Sequence, residues 1–431
     1  MVRPLPSIVL VASILAFVPA VGADARGADD LLARYRRVAA AGGWGELPRG
    51  AALRPGDEQT MVPALRARLA AEGAPLEPTS GNDRRYDQSL ARAVQSFQRR
   101  HGLVADGIVG ARTRAALDVP VAARIAQLDR ARRHRARPAP RGRWIRVNIP
   151  SFSLAVVDGG TTVLEMPVVV GRPGRPTPVF ESVVSSIVVN PPWSVPPDLA
   201  YLDLLPKIRR DPGYLAARRI DVWESWAPDA RRLDPRQVDW RRIGPAMQDL
   251  ALRQRPGPGN ALGRFLIGMR DEHDVFLHDT PSRELFEEEQ RAFSSGCIRV
   301  ADARSLVAAI LRSDPVWTPE RVAAAVAEGE TVTIAVRDPM PIRIVYETAW
   351  VDGQGAIHFR DDLYGGEVHR SARTPGPIAA APPPEATTVS PPPATAAPEP
   401  AWPMARMRWP RPLPFAAGIV RDGRSGTGDR L

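Results

Sequence analysis

Ser294-Ser295-Gly296-Cys297-Ile298-Arg299-Val300 contains the only cysteine in a chain of 431 residues. Upstream, Val275-Phe276-Leu277-His278-Asp279-Thr280 carries a histidine at the end of an apolar run. Thiol acyl transfer needs this set of groups. The thiolate attacks a carbonyl carbon, so a base or an imidazolium has to stand beside it. Gly296 permits a tight turn and a close backbone approach that aims N–H groups at a developing oxyanion. Three alternatives stand on residue types alone: a buried inert thiol, a helix-start cysteine packed by chance among small residues, and a degenerate site that binds without reacting.

The N-terminus reads as a secretory signal over residues 1–23. Arg3 supplies positive charge, Ile8 to Phe17 is apolar but short for a bilayer span, and Val21-Gly22-Ala23 is a small-residue cleavage site. An uncleaved inner-membrane anchor is the alternative. Export to the periplasm sharpens the reading of Cys297. Oxidising compartments favour paired cysteines, and a single one is a free thiol, either inert or reactive for a reason. Cysteine clusters for a metal are impossible here. Only His273 and His278 of the six histidines are close in sequence, so no metal centre is expected. Five residues apart on a strand, those two would face opposite sides. The net charge of +10 is modest for this length and suits an anionic polymer or surface. An exported chain without a recognisable nucleic-acid motif is a poor nucleic-acid binder.

Residues 24–50 form an Ala/Gly/Arg-rich lead of weak pattern. Over residues 51–120 apolar positions recur at helical spacing, with Val62, Leu65 and Leu69 in one run and Leu90, Val94 and Phe97 in the next. A short third helix starts between Thr113 and Leu117. Residues 121–142 are a basic linker or connecting helix, densest at Arg132-Arg133-His134-Arg135. From Trp144 the pattern turns to period two. It predicts strands at Trp144–Asn148, Ser153–Val157, Thr162–Val170, Val183–Val189, Phe265–Met269, Val275–His278, Thr331–Val336 and Ile342–Thr348. Gly159-Gly160 and Gly171-Arg172-Pro173-Gly174 mark turns. The prolines of Asn190–Pro197 exclude a central strand. Residues 198–255 read as a mixed helical insertion with Trp223, Trp226 and Trp240. Amphipathic helices follow Cys297, the second capped at Thr318-Pro319. Residues 341–368 extend the ordered part, and 369–431 read as a disordered Pro-rich tail.

Residues 51–120 resemble the peptidoglycan-binding family of three-helix modules. Leu53-Arg54-Pro55-Gly56-Asp57, Tyr86, Phe97-Gln98, Gly102-Leu103 and Asp106-Gly107-Ile108-Val109-Gly110 carry the resemblance. It implies affinity for wall glycan or stem peptide. Residues 143–340 resemble the L,D-transpeptidase catalytic domain family, through His278 followed by Ser294-Ser295-Gly296-Cys297-Ile298-Arg299. They are most similar to its large periplasmic subgroup, through Asn190–Pro196, Gln254–Arg264, Thr348–Asp352 and His358–Asp362. The fold this implies is α+β: a three-helix binding module, then a mixed β-rich catalytic domain with a helical capping insertion.

The resemblance assigns roles. Cys297 is the nucleophile and His278 its base. Ser294 matches the serine that orients this histidine through its backbone or side chain, and backbone N–H groups around Gly296 and Cys297 hold the oxyanion. Arg299 binds a substrate carboxylate or braces the loop with a salt bridge. Ser295 stands where the common pattern has histidine and keeps a hydroxyl for substrate contact. Trp193 and Asn190 complete a candidate substrate-binding set. Asp279 and Thr280 shape the site. The family chemistry implies no cofactor. It implies peptidoglycan stems as donor, and a neighbouring stem amine, water or an outer-membrane lipoprotein lysine as acceptor. A monomer is expected. A wall-binding scaffold without chemistry is the reading from another class.

Overall fold

The structure, a computed structural model, describes residues 23–77, 82–270, 273–352 and 355–365. The expected signal before Ala23 and the expected tail over 369–431 lie outside the described residues. The lead, which showed little pattern, contains a helix, α1 (Ala23–Ala40). Its alanine and arginine content favours helix, and a narrow stripe of Leu32 and Tyr35 supplies its buried face. The three helices of the binding module follow as α2 (Val62–Ala71), α3 (Gln88–Arg100) and α4 (Ala111–Asp118). Val62, Leu65, Leu69, Leu90, Val94, Phe97 and Leu117 meet in its core. Asp87 caps α3 by accepting the Leu90 N–H, a contact worth about 1 kcal/mol. The basic stretch is a connecting helix, α5 (Val121–Arg135), with Arg124 and Leu128 buried.

The β-rich part opens with β1 (Arg143–Asn148), β2 (Ser153–Asp158), β3 (Thr161–Gly171) and β4 (Phe180–Val189). The insertion combines β5 (Trp193–Ser194), short helices α6 (Pro197–Leu199), α7 (Leu205–Arg210) and α8 (Tyr214–Ala217), and strands β6 (Ile220–Trp223), β7 (Arg232–Leu233) and β8 (Ala251–Gln254). It is therefore helical only in part. A four-stranded sheet in the order β5-β8-β6-β7 backs its own core of Leu204, Ile208, Val222 and Leu252. Then come β9 (Phe265–Met269), β10 (Leu277–His278), β11 (Ala292–Ser294), β12 (Ile298–Val300), α9 (Ala303–Ile310), α10 (Pro319–Glu328), β13 (Val332–Val345), β14 (Ala349–Val351) and β15 (Ile357–Phe359).

The main sheet has nine strands in the order β11-β3-β12-β10-β9-β4-β13-β1-β2. It becomes barrel-like because β3 is shared: Thr161–Pro167 pair with β2, and Val168–Val169 with β12. Leu154, Ile187, Ile267, Leu277 and Ile298 fill the interior, with Leu306, Val307 and Val322 of α9 and α10 packed on it. The two late strands expected from the sequence are one. β13 runs through Asp338-Pro339, and its register against β4 slips between Ala335 and Met340. That irregularity accommodates Pro339, which has no N–H for the ladder.

All described residues belong to one compact unit, and the β14–β15 hairpin helps to join its parts. Phe359 is fully buried with Tyr35 of α1 and Leu128 of α5. His101 of the binding module stacks on it at 5.3 Å, and the Arg124 guanidinium lies 4.8 Å from its ring. Gln127 donates to the Arg360 carbonyl at 3.0 Å, and Arg360 donates to the Arg100 carbonyl at 3.0 Å. Burial holds His101 well below the usual histidine range, so it packs as a neutral ring. Phe359→Ala should cost about 3–5 kcal/mol by leaving a cavity at this junction. Denaturant unfolding checks it; a loss below about 1 kcal/mol would mean that the hairpin does not hold the modules together.

Candidate active site

β10 and β12 run parallel, with Leu277 opposite Ile298 and His278 opposite Arg299. The ladder is extended by the Ile298 N–H, which donates to the Phe276 carbonyl at 2.9 Å. Side chains alternate along a strand, so Leu277 and Ile298 enter the core while His278, Arg299 and Cys297 share the other face. Cys297 sits one step before β12 and is half-buried. Its Sγ lies 3.9 Å from the Asp274 carbonyl.

His278 is buried, and its Nδ1 lies 2.6 Å from the Asp279 carbonyl oxygen. A carbonyl only accepts, so Nδ1 carries the proton, and in the neutral ring Nε2 is left as the acceptor. Burial and the nearby Arg299 cation lower the His278 pKa to about 4, against the opposing pull of the Asp279 carbonyl. At neutral pH this is an uncharged imidazole with a fixed tautomer, which is the form of a general base. Arg299 is itself half-buried, with Nε lacking a hydrogen-bond partner among the described residues. Burial lowers its pKa from the ordinary arginine value, against the opposing charges of Cys297 and Glu284.

The turn before Cys297 is held at three carbonyls. Arg172 N–H donates to Ser294 O at 3.0 Å, Thr177 Oγ1 donates to Gly296 O at 2.7 Å, and Ser294 Oγ donates to Cys297 O at 2.5 Å. Gly296 has a φ of +117°, a conformation that favours glycine. The Gly296 N–H donates to Ser294 Oγ at 3.2 Å. Both hydrogen bonds of the Ser294 hydroxyl thus stay inside the turn, and the His278 ring is held by the Asp279 carbonyl. Gly296 N–H is likewise engaged within the turn.

Ser295 is exposed, and its Oγ accepts from Arg175 Nη1 at 3.1 Å. The same Arg175 nitrogen lies 2.5 Å from Asp203 in the insertion, so an ion pair links the insertion to the nucleophile turn. The Asp279 carboxylate accepts from Arg264 N–H at 2.9 Å and Arg283 Nη1 at 3.1 Å. Asn190 does not reach a substrate. It is fully buried, its Nδ2 donates to the Ala325, Val326 and Glu330 carbonyls, and its Oδ1 accepts from Arg264. Its Nδ2 protons are committed to backbone carbonyls, and no part of its side chain is open to a ligand. Trp193 is half-buried against the core of the insertion, where packing accounts for it. Thr177, Arg175, Asp203 and Asp274 were not among the expected site residues. The Gly171–Gly174 turn was the one signal near the first two.

Residues 142–318 match the family profile described as L,D-transpeptidase catalytic domain. This stretch is similar to that catalytic domain. Residues 58–117 match the profile named "Putative peptidoglycan binding domain". A curated protein of Haemophilus influenzae, described as "Putative L,D-transpeptidase", is 37% identical over 220 residues, covering 51% of this chain and 43% of that protein. The chain thus spans under half the length of this curated relative. Among solved structures, an L,D-transpeptidase of Xylanimonas cellulosilytica is 16% identical with a TM-score of 0.21, over 70% of this chain and 100% of that one. Another, from Stackebrandtia nassauensis, is 12% identical with a TM-score of 0.24, over 70% and 96%.

Two outcomes are expected for this site. A side-chain NMR titration of His278 should show a midpoint near 4, moving upward in Arg299→Gln as a cation is removed. A midpoint near the free value of about 6.5 would contradict the buried neutral base. Asn190→Ala should lower stability by about 1–3 kcal/mol, because carbonyls and Arg264 lose their partner, and leave KM unchanged. A raised KM at full stability would restore Asn190 to the substrate site.

Proposed function

We propose that this chain is a peptidoglycan L,D-transpeptidase working through a thioester on Cys297. The observation that carries the proposal is the shared face of Cys297 and His278, with Nδ1 of the histidine committed to a carbonyl. His278 Nε2 takes the thiol proton, and the thiolate attacks the carbonyl at the L-centre of diaminopimelate in a tetrapeptide stem. The carbon–nitrogen bond to D-alanine breaks as the imidazolium returns the proton to the leaving amine. An acceptor amine from a neighbouring stem then attacks the thioester and passes a proton to His278. The thiol is released and a 3→3 cross-link is formed. The binding module supports a polymeric wall substrate. The N-terminal pattern supports an exported, periplasmic enzyme. Under this reading Arg299 attracts the stem carboxylate, and Ser295 lines the cleft.

Mature protein incubated with disaccharide-tetrapeptide, read by mass spectrometry, tests the proposal. Wild type should release D-alanine and form a dimer, and Cys297→Ala should do neither. Release without dimer would make the acceptor water or a lipoprotein lysine. No thiol-dependent change, with wall binding retained, would leave a non-catalytic scaffold.

A further inference from the structure

A buried hydrogen-bond chain runs from the C-terminal extension, beyond the residues that match the catalytic profile, to the peptide bond before the nucleophile. Tyr346 Oη donates to Asp362 Oδ1 at 2.6 Å and accepts the Tyr364 N–H at 2.8 Å. Tyr364 Oη donates to the Gly171 carbonyl at 2.7 Å and accepts the Thr177 N–H at 3.2 Å. Thr177 Oγ1 accepts the Gly171 N–H at 2.9 Å and gives its proton to Gly296 O at 2.7 Å. Thr177 is 0% exposed, and Tyr346 and Tyr364 are buried. The loop they brace has no room for adjustment at its start: a Cβ on Gly171 would lie 2.3 Å from the Arg175 carbonyl oxygen.

Gly296 C=O and Cys297 N–H belong to one planar trans peptide, in which the two groups point in opposite directions. The carbonyl is drawn inward to a fully buried hydroxyl. The N–H of the nucleophile is thereby turned to the outer side, where Ser295 is exposed and Cys297 half-exposed. We infer that Thr177 is a positioning residue for acyl transfer: its hydroxyl fixes the Gly296–Cys297 peptide so that the Cys297 N–H meets the substrate oxyanion, and Tyr364 holds Thr177 in place. The inference rests on the thioester reading. As the carbon–sulfur bond forms, the carbonyl electron pair moves to oxygen, and a donor already aimed there needs no reorganisation. Thr177 touches neither thiol nor imidazole in the bonds above, so proton transfer between them is independent of it.

The experiment measures acylation of the full chain by disaccharide-tetrapeptide in single-turnover quench, beside iodoacetamide alkylation of Cys297 as a function of pH. Thr177→Val keeps the shape and removes the donor. Its acylation rate should fall about 10- to 100-fold, with KM within about threefold of wild type. Its alkylation profile should match wild type, and Thr177→Ser should recover most of the rate. Tyr364→Phe should lower the rate less, and the double variant Thr177→Val/Tyr364→Phe should be no worse than Thr177→Val, as expected of one chain. Unchanged acylation in Thr177→Val would overturn the inference. So would a loss matched by slower alkylation, or one that Thr177→Ser does not relieve, since either would mean general disorder at the turn. If wild type itself forms no thiol-dependent acyl-enzyme, the thioester reading fails first, and that result is distinct from a Thr177→Val protein that acylates normally.

Discussion

Leu277 pairs with Ile298, and His278 with Arg299, in a short parallel ladder whose other face is buried in the barrel core. The ladder brings a histidine and a cysteine from separate segments to the same side of the sheet. A slip of one residue would turn His278 inward and Leu277 outward. The core therefore enforces the register that the chemistry needs: Leu277, Ile298 and Val300 are each fully buried, and a slip of β10 would expose the first while a slip of β12 would expose the other two. At about 25 cal/mol per Å² of apolar surface, the side-chain burial at stake on this strand pair amounts to several kcal/mol.

The nucleophile turn is tied to the rest of the molecule through its carbonyls. Gly296 O is held by a loop that begins at β3, and that loop is held by Tyr364. The extension that supplies Tyr364 also contributes Phe359 to the junction with the binding module. One segment after β13 thus serves both the active-site turn and the docking of the module. The insertion is tied to the same turn by the Asp203–Arg175 ion pair, which also engages Ser295. Such a partly exposed pair is worth little to stability and is better placed to set the position of the insertion.

Much of this was readable in the residues. Strong period-two alternation in β1, β2, β3, β4 and β9 located those strands, and helical spacing located the three helices of the binding module. The Cys297 turn and His278 were legible because glycine, cysteine and histidine each carry specific chemistry. Contacts made by common residues at long range were not. Thr177 and Tyr364 look like ordinary loop residues until the fold sets them against Gly171 and Gly296. Asn190 was misread because an asparagine beside prolines and a tryptophan resembles a ligand contact; its left-handed φ of +47° and its three carbonyl partners emerge only with α10 in place. α1 was missed because its buried stripe is narrow and its partners, α5 and the late hairpin, lie far along the chain. β13 was divided because Pro339 and Pro341 read as breaks, whereas a register slip carries the strand past them.

The central claim is that Cys297 becomes a thioester with His278 as its base. Acid quench of the enzyme during turnover of disaccharide-tetrapeptide, followed by peptide mapping, addresses it most directly. The account predicts an adduct equal to the stem acyl group without its terminal D-alanine, confined to the peptide that contains Cys297 and labile to hydroxylamine. D-alanine release with no adduct on that peptide, or with the adduct on another residue, would contradict it.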